Sequence, residues 1–173
     1  MQIGTLTITA PALNAPGHSE AEVFGSVVWL WMNAPAQNDL PLRALPHVLL
    51  PPLKEQQFIL AAEPDGVALK PVAYVPWAHR DAQAEQRYLR DPANGLRRAD
   101  WDSGDRLWIT HWFTPFGHSR SLRQIVAQLL ADRCMRALYH RGHERGSRVL
   151  TFRGNRVTQG EADRWWAARP MTE

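Results

Sequence analysis

Histidine is the side chain best suited to taking up a proton near neutral pH, and His111 has the most informative position in this sequence. It lies in the segment 105–113, whose odd residues share one face of a predicted strand while the even residues share the other. Ile109 and Phe113 are its neighbours on that face, and a histidine so flanked is usually a core residue. His111 is therefore interpreted in two ways, as a core histidine or as a catalytic base. His118 is a second and weaker candidate base.

The other reactive side chains predict neither a metal site nor a cysteine nucleophile. Several histidines lack acidic or cysteine neighbours at metal-ligand spacing, so no metal site is expected. These histidines are His47, His79, His118, His140 and His143. Cys134 is the single cysteine, which excludes an internal disulfide and fits a reducing compartment. Because it lies within an apolar run, it is predicted to be a small core residue.

The length and the amino-acid composition are those of an ordinary globular protein. Its 173 residues, 45% hydrophobic and 21% charged, fit one domain with a working core. Neither a membrane-spanning apolar run nor a signal peptide is found, and a cytoplasmic location is expected. Eight tryptophans are unusual for this length. They indicate either a tryptophan-rich core or an apolar groove for a greasy ligand.

The basic side chains are nearly all arginines, with Lys54 and Lys70 as the only lysines, and the formal charge is +3. The arginine clusters predict a solvated basic face or a docking surface for an acidic protein. They are Arg97 and Arg98, Arg120 and Arg123, and Arg141, Arg145 and Arg148. Because no nucleic-acid motif accompanies them, nucleic-acid binding is not expected.

Helical and strand patterns alternate along the chain and predict an α+β or mixed α/β fold. Residues 1–18 show no periodicity and are predicted to form a flexible arm. Ser19 and Glu22 match a capping box, which starts a helix reaching about Asn33. Further helices are predicted over 42–50 (ended by Pro51 and Pro52), 81–89, from a Ser119 or Ser121 cap, and 161–168. Strands are predicted over 57–62, 72–77, 105–113, 135–139 and 148–152, and a loop over 91–104.

Three segments resemble the toxin-activating lysine acyltransferases of the RTX (hemolysin C) type. Residues 25–35, Gly-Ser-Val-Val-Trp-Leu-Trp-Met-Asn-Ala-Pro, are similar to that family's opening helix and the turn after it. Residues 71–78, Pro-Val-Ala-Tyr-Val-Pro-Trp-Ala, are close to its PVAYCSWA motif. Residues 103–112 followed by 115–117 are close to its SGDRLWIIDWIAPFG motif. Because order and spacing hold from about Val23 to Gly154, the chain is identified as a divergent member of this family.

The resemblance implies a single domain of the GNAT acetyltransferase type over 19–173, with a central, mostly antiparallel sheet flanked by helices. It implies no bound cofactor, and a donor in which acyl carrier protein holds the fatty acyl group on 4'-phosphopantetheine. The implied acceptor is a lysine of an RTX protoxin. Two alternatives remain open: a lysine or ornithine of a small ribosomally made peptide, and an inactive relative that only binds carrier protein or peptide. A homodimer is also left open.

The residues themselves add one argument about the donor. Acetyltransferases that use coenzyme A usually hold its pyrophosphate on a glycine-rich turn that opens a helix. The comparable segment here, 117–121, has Gly117 as its only glycine. An acidic acyl carrier protein is therefore the favoured donor, and it would give the arginine-rich surface a partner.

The chain departs from the family at both positions implied to be catalytic. The family is thought to use a histidine after the first helix and an aspartate on the central strand. These positions are Gln37 and His111 in this sequence. The amide of Gln37 cannot act as a base, whereas an imidazole can. The hypothesis is that His111 is the base and that Gln37 orients its ring.

The resemblance also indicates candidate substrate-binding residues. Ser26 and Asn33 could contact the acyl carbonyl, although Asn33 is equally suited to ending the helix. Asp105 and Arg106 could bind the donor, but a structural salt bridge or turn anchor is the favoured role. The acyl tunnel could be lined by tryptophans, with core packing favoured for at least half of them. These are Trp31, Trp77, Trp108 and Trp112.

Overall fold

The computed structural model describes residues 1–34, 41–92, 97–139 and 148–171. They form two compact units, which are described separately. The first comprises Met1–Pro76 with His111–Ile125, and the second Trp77–Thr110 with Val126–Glu173. Within the described ranges no helix is long and apolar enough to cross a membrane.

The first unit combines antiparallel strands with the first helices of the chain. Its strands pair in chain order: β1 (Gln2–Ile3), β2 (Leu6–Thr9), β3 (Phe58–Asp65) and the first part of β4 (Ala68–Arg80). The helix α1 (Glu20–Met32) begins at the predicted Ser19–Glu22 capping box, which is confirmed. Its buried side, including Val23 and Val27, packs in one cluster with Phe58, Leu60 and Tyr74.

The predicted flexible arm over residues 1–18 is wrong. Residues of β2 pair with β3 in the register Ile8↔Ala61, and Ile8 is completely buried. The N-terminal ammonium of Met1 donates a hydrogen bond to the Ile8 carbonyl at 2.8 Å. A strand of only four residues shows too little alternation to be recognised in sequence, so its identity depends on the partner strand that it joins.

The predicted helix over 42–50 is divided: a 3-10 turn (Leu42–Ala44) precedes α2 (Leu45–Val48), and α3 (Leu50–Lys54) follows. Pro51 and Pro52 do not end a helix but lie within α3, Pro51 in its first turn. Proline is accepted there because the backbone N–H groups of a first helical turn have no partner within the helix.

The segment 105–113 is also shorter as a strand than predicted. In the second unit, β5 covers only Arg106–Ile109 and pairs antiparallel with the last residues of β4. Thr110 onward leaves the regular strand. In the first unit, Phe113 forms an isolated bridge with Tyr74, with two backbone hydrogen bonds of 3.0 Å. His111 therefore lies between two strand contacts rather than inside a continuous strand.

The second unit adds β6 (Cys134–Leu138), parallel to β5, and β7 (Val149–Arg153), antiparallel to β6. Its helices are α4 (Ala82–Arg90), which Asp81 caps, and α6 (Gln159–Ala167). The helix α5 (Ser119–Leu129) has residues in both units. Ser119 is its first residue and not its cap, contrary to the prediction. A short 3-10 turn, Arg98–Trp101, interrupts the predicted loop over 91–104.

The prediction of a mixed α/β fold with mostly antiparallel strands is confirmed. In the described residues β5–β6 is the one parallel pairing of named strands. The assignment to the GNAT type and to one domain over 19–173 stays a prediction.

Two glycines give opposite predictions for substitution by alanine. A Cβ at Gly154 would overlap the backbone carbonyls of Leu130 and Ala131, so Gly154→Ala is expected to lower the free energy of unfolding by more than about 2 kcal/mol. A Cβ at Gly25 in α1 would meet no atom within 4 Å. Gly25→Ala is expected to raise it by about 0.5–1 kcal/mol. Urea unfolding checks both, and equal effects would contradict the packing argument.

Candidate active site

His111 lies in an aromatic cluster of the first unit. Its half-buried ring stacks on Phe113, with centroids 5.3 Å apart and planes 13° from parallel. The ring of Trp31 from α1 lies 6.5 Å away, and Trp31 in turn lies 5.4 Å from Phe113. The ring of Tyr74 also stacks on Phe113, with ring centroids 6.3 Å apart. This packing fixes the plane of an imidazole that still reaches the surface.

Trp31 and Tyr74 each bury a polar atom in this cluster. Trp31 is 4% exposed and Tyr74 is 1% exposed. Within the described part of the chain, neither the Trp31 indole N–H nor the Tyr74 hydroxyl has a hydrogen-bond partner. Burial raises the pKa of Tyr74, so its hydroxyl stays protonated. Buried tryptophan and tyrosine polar groups usually find partners, so both atoms call for an explanation.

The segment from His111 to α5 is fixed at several points of the first unit. The Trp112 indole N–H donates to the Ser119 hydroxyl at 2.9 Å, which ties the two ends of the segment together. Phe116 packs against Trp29, with ring centroids 5.4 Å apart, and lies under the Lys70 ammonium at 4.6 Å. The base candidate is thus carried by a well-anchored loop.

His118 is held by a carboxylate. Its Nε2 lies 3.3 Å from Glu63 Oε2, and Lys70 Nζ lies 3.6 Å from the other oxygen of the same carboxylate. The sequence did not indicate this contact, because Glu63 and His118 lie far apart along the chain. The structure leaves His118 as a carboxylate-paired histidine of the loop that carries His111.

The two polar candidates of α1 take different positions. Ser26 is half-buried on the helix. The Asn33 side-chain amide donates to the Trp29 carbonyl at 2.9 Å, and Asn33 is the C-terminal cap of α1. The helix-ending role is therefore present in the structure. Gln37, the proposed orienting partner of His111, lies outside the described residues.

Four candidates belong to the second unit. Trp77 is 1% exposed, and Trp108 is completely buried with its indole N–H donating to Glu85 at 2.7 Å. Arg106 pairs with Glu85 and also donates to the Pro170 carbonyl at 3.0 Å. Asp105 accepts from Arg169 at 2.8 Å, and that arginine lowers the Asp105 pKa. Asp105 and Arg106 thus both form salt bridges, as the structural interpretation of these residues predicted.

Cys134 borders a cleft of about 510 Å³ in the second unit, together with Leu107, Val157 and Trp165. The thiol side chain is nearly buried, and burial raises its pKa. A reactive cysteine requires a lowered pKa. Cys134 is therefore a core residue, as predicted. Across the described ranges no group of three or more His, Cys, Asp or Glu side chains is placed to hold a metal ion.

Comparison with known proteins identifies one family. The profile of the RTX toxin acyltransferase family matches residues 17–153. The chain is 36% identical over 155 residues to the protein-lysine palmitoyltransferase CyaC of Bordetella bronchiseptica, covering 88% of this chain and 80% of the relative.

Two further relatives are as informative. The protein-lysine myristoyltransferase RtxC of Kingella kingae is 32% identical over 133 residues, 77% of each chain. The leukotoxin-activating lysine-acyltransferase LktC serotype A11 of Mannheimia haemolytica is 30% identical over 141 residues, 81% of each chain. All three names describe transfer of an acyl group to lysine.

Proposed function

Since the chain belongs to the RTX toxin acyltransferase family, we propose that it transfers a fatty acyl group from acyl carrier protein to a lysine side chain of an RTX protoxin. The names of its relatives support lysine as the acceptor and a myristoyl or palmitoyl chain as the donor group. The observation that carries a catalytic role is the half-buried imidazole of His111, held in plane by Phe113.

The reaction forms the amide C–N bond and breaks the thioester C–S bond. Lysine is mostly protonated at neutral pH, so its nitrogen must lose a proton before attack and a second as the amide forms. His111 accepts a proton from the attacking nitrogen. The leaving thiolate of the pantetheine arm takes up one proton, and the other passes to solvent. Gln37 is proposed to orient the imidazole.

The choice of donor is supported by the first turn of α5. This helix follows Gly117, the only glycine of the segment 117–121, whose backbone adopts a positive φ of 87°. Arg120 and Arg123 are exposed on the helix. A positively charged surface of this kind complements an acidic carrier protein. Coenzyme A, by contrast, usually requires a glycine-rich turn for its pyrophosphate.

The test mixes the purified protein with palmitoyl-loaded carrier protein and either an RTX protoxin fragment or lysine- and ornithine-containing peptides. Intact masses of every component are read over time. A palmitoyl gain on the protoxin fragment, absent when palmitoyl-coenzyme A replaces the carrier, is the expected result. A gain only on the short peptides would replace the protoxin by a small ribosomal peptide as acceptor. Carrier protein that binds yet keeps its chain would indicate a non-catalytic relative, an outcome that the Gln37 departure makes worth testing.

A further inference from the structure

The indole N–H of Trp31 is a hydrogen-bond donor that has no acceptor among the residues that the structure describes. The residue is 4% exposed, and among the described residues Nε1 has no hydrogen-bond partner. The indole nitrogen can only donate, and none of the described residues accepts its hydrogen bond. Such a group carries an uncompensated desolvation cost, and native proteins contain few of them. A ligand that brings an acceptor would remove that cost.

The position of Trp31 indicates which acceptor would be useful. Its ring lies beside the imidazole of His111, at 6.5 Å between centroids, and against Phe113 at 5.4 Å. Acyl transfer develops negative charge on the carbonyl oxygen of the thioester as the amine attacks. Donors already aimed at that oxygen, in a site that excludes water, are usually the largest single contribution to catalysis.

We propose that Trp31 Nε1 donates a hydrogen bond to the carbonyl oxygen of the acyl thioester and stabilises the oxyanion of the tetrahedral adduct. The proposal rests on the acyl transfer proposed above. As the lysine nitrogen attacks, the C–N bond forms and the C=O π electrons move to the oxygen, which accepts the Trp31 hydrogen bond. Collapse of the adduct restores the carbonyl and expels the thiolate, while His111 takes the proton from nitrogen. Trp31 keeps its own proton throughout.

Packing explains why an indole suits this role. Trp31 shares the buried cluster of α1 with Leu30, Phe58 and Tyr74, so the direction of its N–H is fixed before the substrate arrives. A fixed donor needs no reorganisation when charge develops. Low local dielectric strengthens the hydrogen bond, for the same reason that it makes the unpaired donor costly. This role differs from the two that the sequence suggested for Trp31, which were core packing and lining an acyl tunnel.

Trp31→Phe removes the donor and keeps an aromatic ring. We expect kcat to fall about 10²–10³-fold, with KM within about twofold, because the hydrogen bond strengthens only as charge develops. Trp166→Phe is the matched control, since Trp166, in the second unit, has another buried indole N–H for which the described residues offer no partner. Its kcat is expected to stay within about twofold. Should Trp31→Phe unfold, the tryptophan isostere carrying sulfur in place of N–H at position 31 tests the same loss at constant shape.

A second measurement does not depend on turnover. The probe is carrier protein whose palmitoyl group is attached through an amide in place of the thioester, which keeps the carbonyl and cannot react. Its binding is expected to move the Trp31 indole N–H resonance downfield and leave the Trp166 resonance in place. If the shift occurs but no acceptor is acylated, Trp31 remains the hydrogen-bond donor to the carbonyl, and the proposed function is rejected. An active wild type with unchanged kcat in Trp31→Phe and in the isostere, or a bound probe without the shift, overturns the proposal.

Discussion

Replacing His111 by alanine is expected to lower kcat for acyl transfer by about 10²–10⁴-fold, the contribution of a positioned general base. The residual rate would come from binding and proximity, which the substitution leaves in place. His111→Gln is expected to be nearly as slow, because an amide keeps hydrogen bonds but does not accept a proton near neutrality. Steady-state rates measured by the mass assay, with circular dichroism to verify folding, check both variants.

The alternative role of His111 predicts a different pair of results. A histidine that only fills the space beside Phe113 would lower the unfolding midpoint when removed, yet leave kcat within about twofold. Added imidazole should partly restore turnover in His111→Ala if a base is missing, and should do nothing if only packing is lost. His18→Ala is the control, since His18 is a partly exposed histidine of the same unit, 4.0 Å from Glu22. Full activity in His111→Ala would reject the base.

Predictions from the sequence were correct where the interactions that define an element lie within one short segment. The capping box of Ser19 and Glu22 names the first residues of α1 because both hydrogen bonds join residues three apart. The strands β6 and β7 were likewise predicted to within a residue, since each has enough positions to show apolar clustering. These predictions needed no knowledge of distant partners.

Predictions failed where a distant partner decides the outcome. β2 is a strand because β3 offers it the register Ile8↔Ala61, and no periodicity within 1–18 shows this. β5 ends at Ile109, although the alternation of side chains continues to Phe113, because pairing partners and not periodicity define a strand. The side-chain pattern within one segment does not show where its pairing with a neighbouring strand ends.

The candidate site shows the same division. His111 and its stacking partner Phe113 lie two positions apart on one predicted face, so their contact could be foreseen. The approach of Trp31 to His111 joins α1 to a loop far along the chain, and its unpaired N–H appears only once every neighbour is placed. Sequence identified the base candidate, whereas the donor required coordinates.

Loss of Glu85 is expected to have the largest effect on stability. The completely buried Glu85 carboxylate pairs with Arg106, accepts from Arg136 Nη1 at 2.7 Å, and accepts from the Trp108 indole at 2.7 Å. Glu85→Ala would leave buried guanidinium groups uncompensated, and breaking a buried pair in this way costs about 3–5 kcal/mol. The fully buried Arg80 is affected too, because burial already lowers its pKa to about 10 while Glu85 acts in the opposite direction.

Guanidinium chloride unfolding of Glu85→Ala and Glu85→Gln measures this effect. The glutamine variant is expected to lose less, because its side-chain oxygen can still accept a hydrogen bond although the charge is gone. Asp132→Ala is the control, since Asp132 also pairs bidentately with an arginine, Arg156, but both side chains are largely exposed. Exposed pairs contribute little, so its midpoint is expected to stay nearly unchanged. Similar midpoints for Glu85→Ala and Asp132→Ala would contradict this argument, because it attributes the larger loss of stability to the burial of the Glu85 pairs.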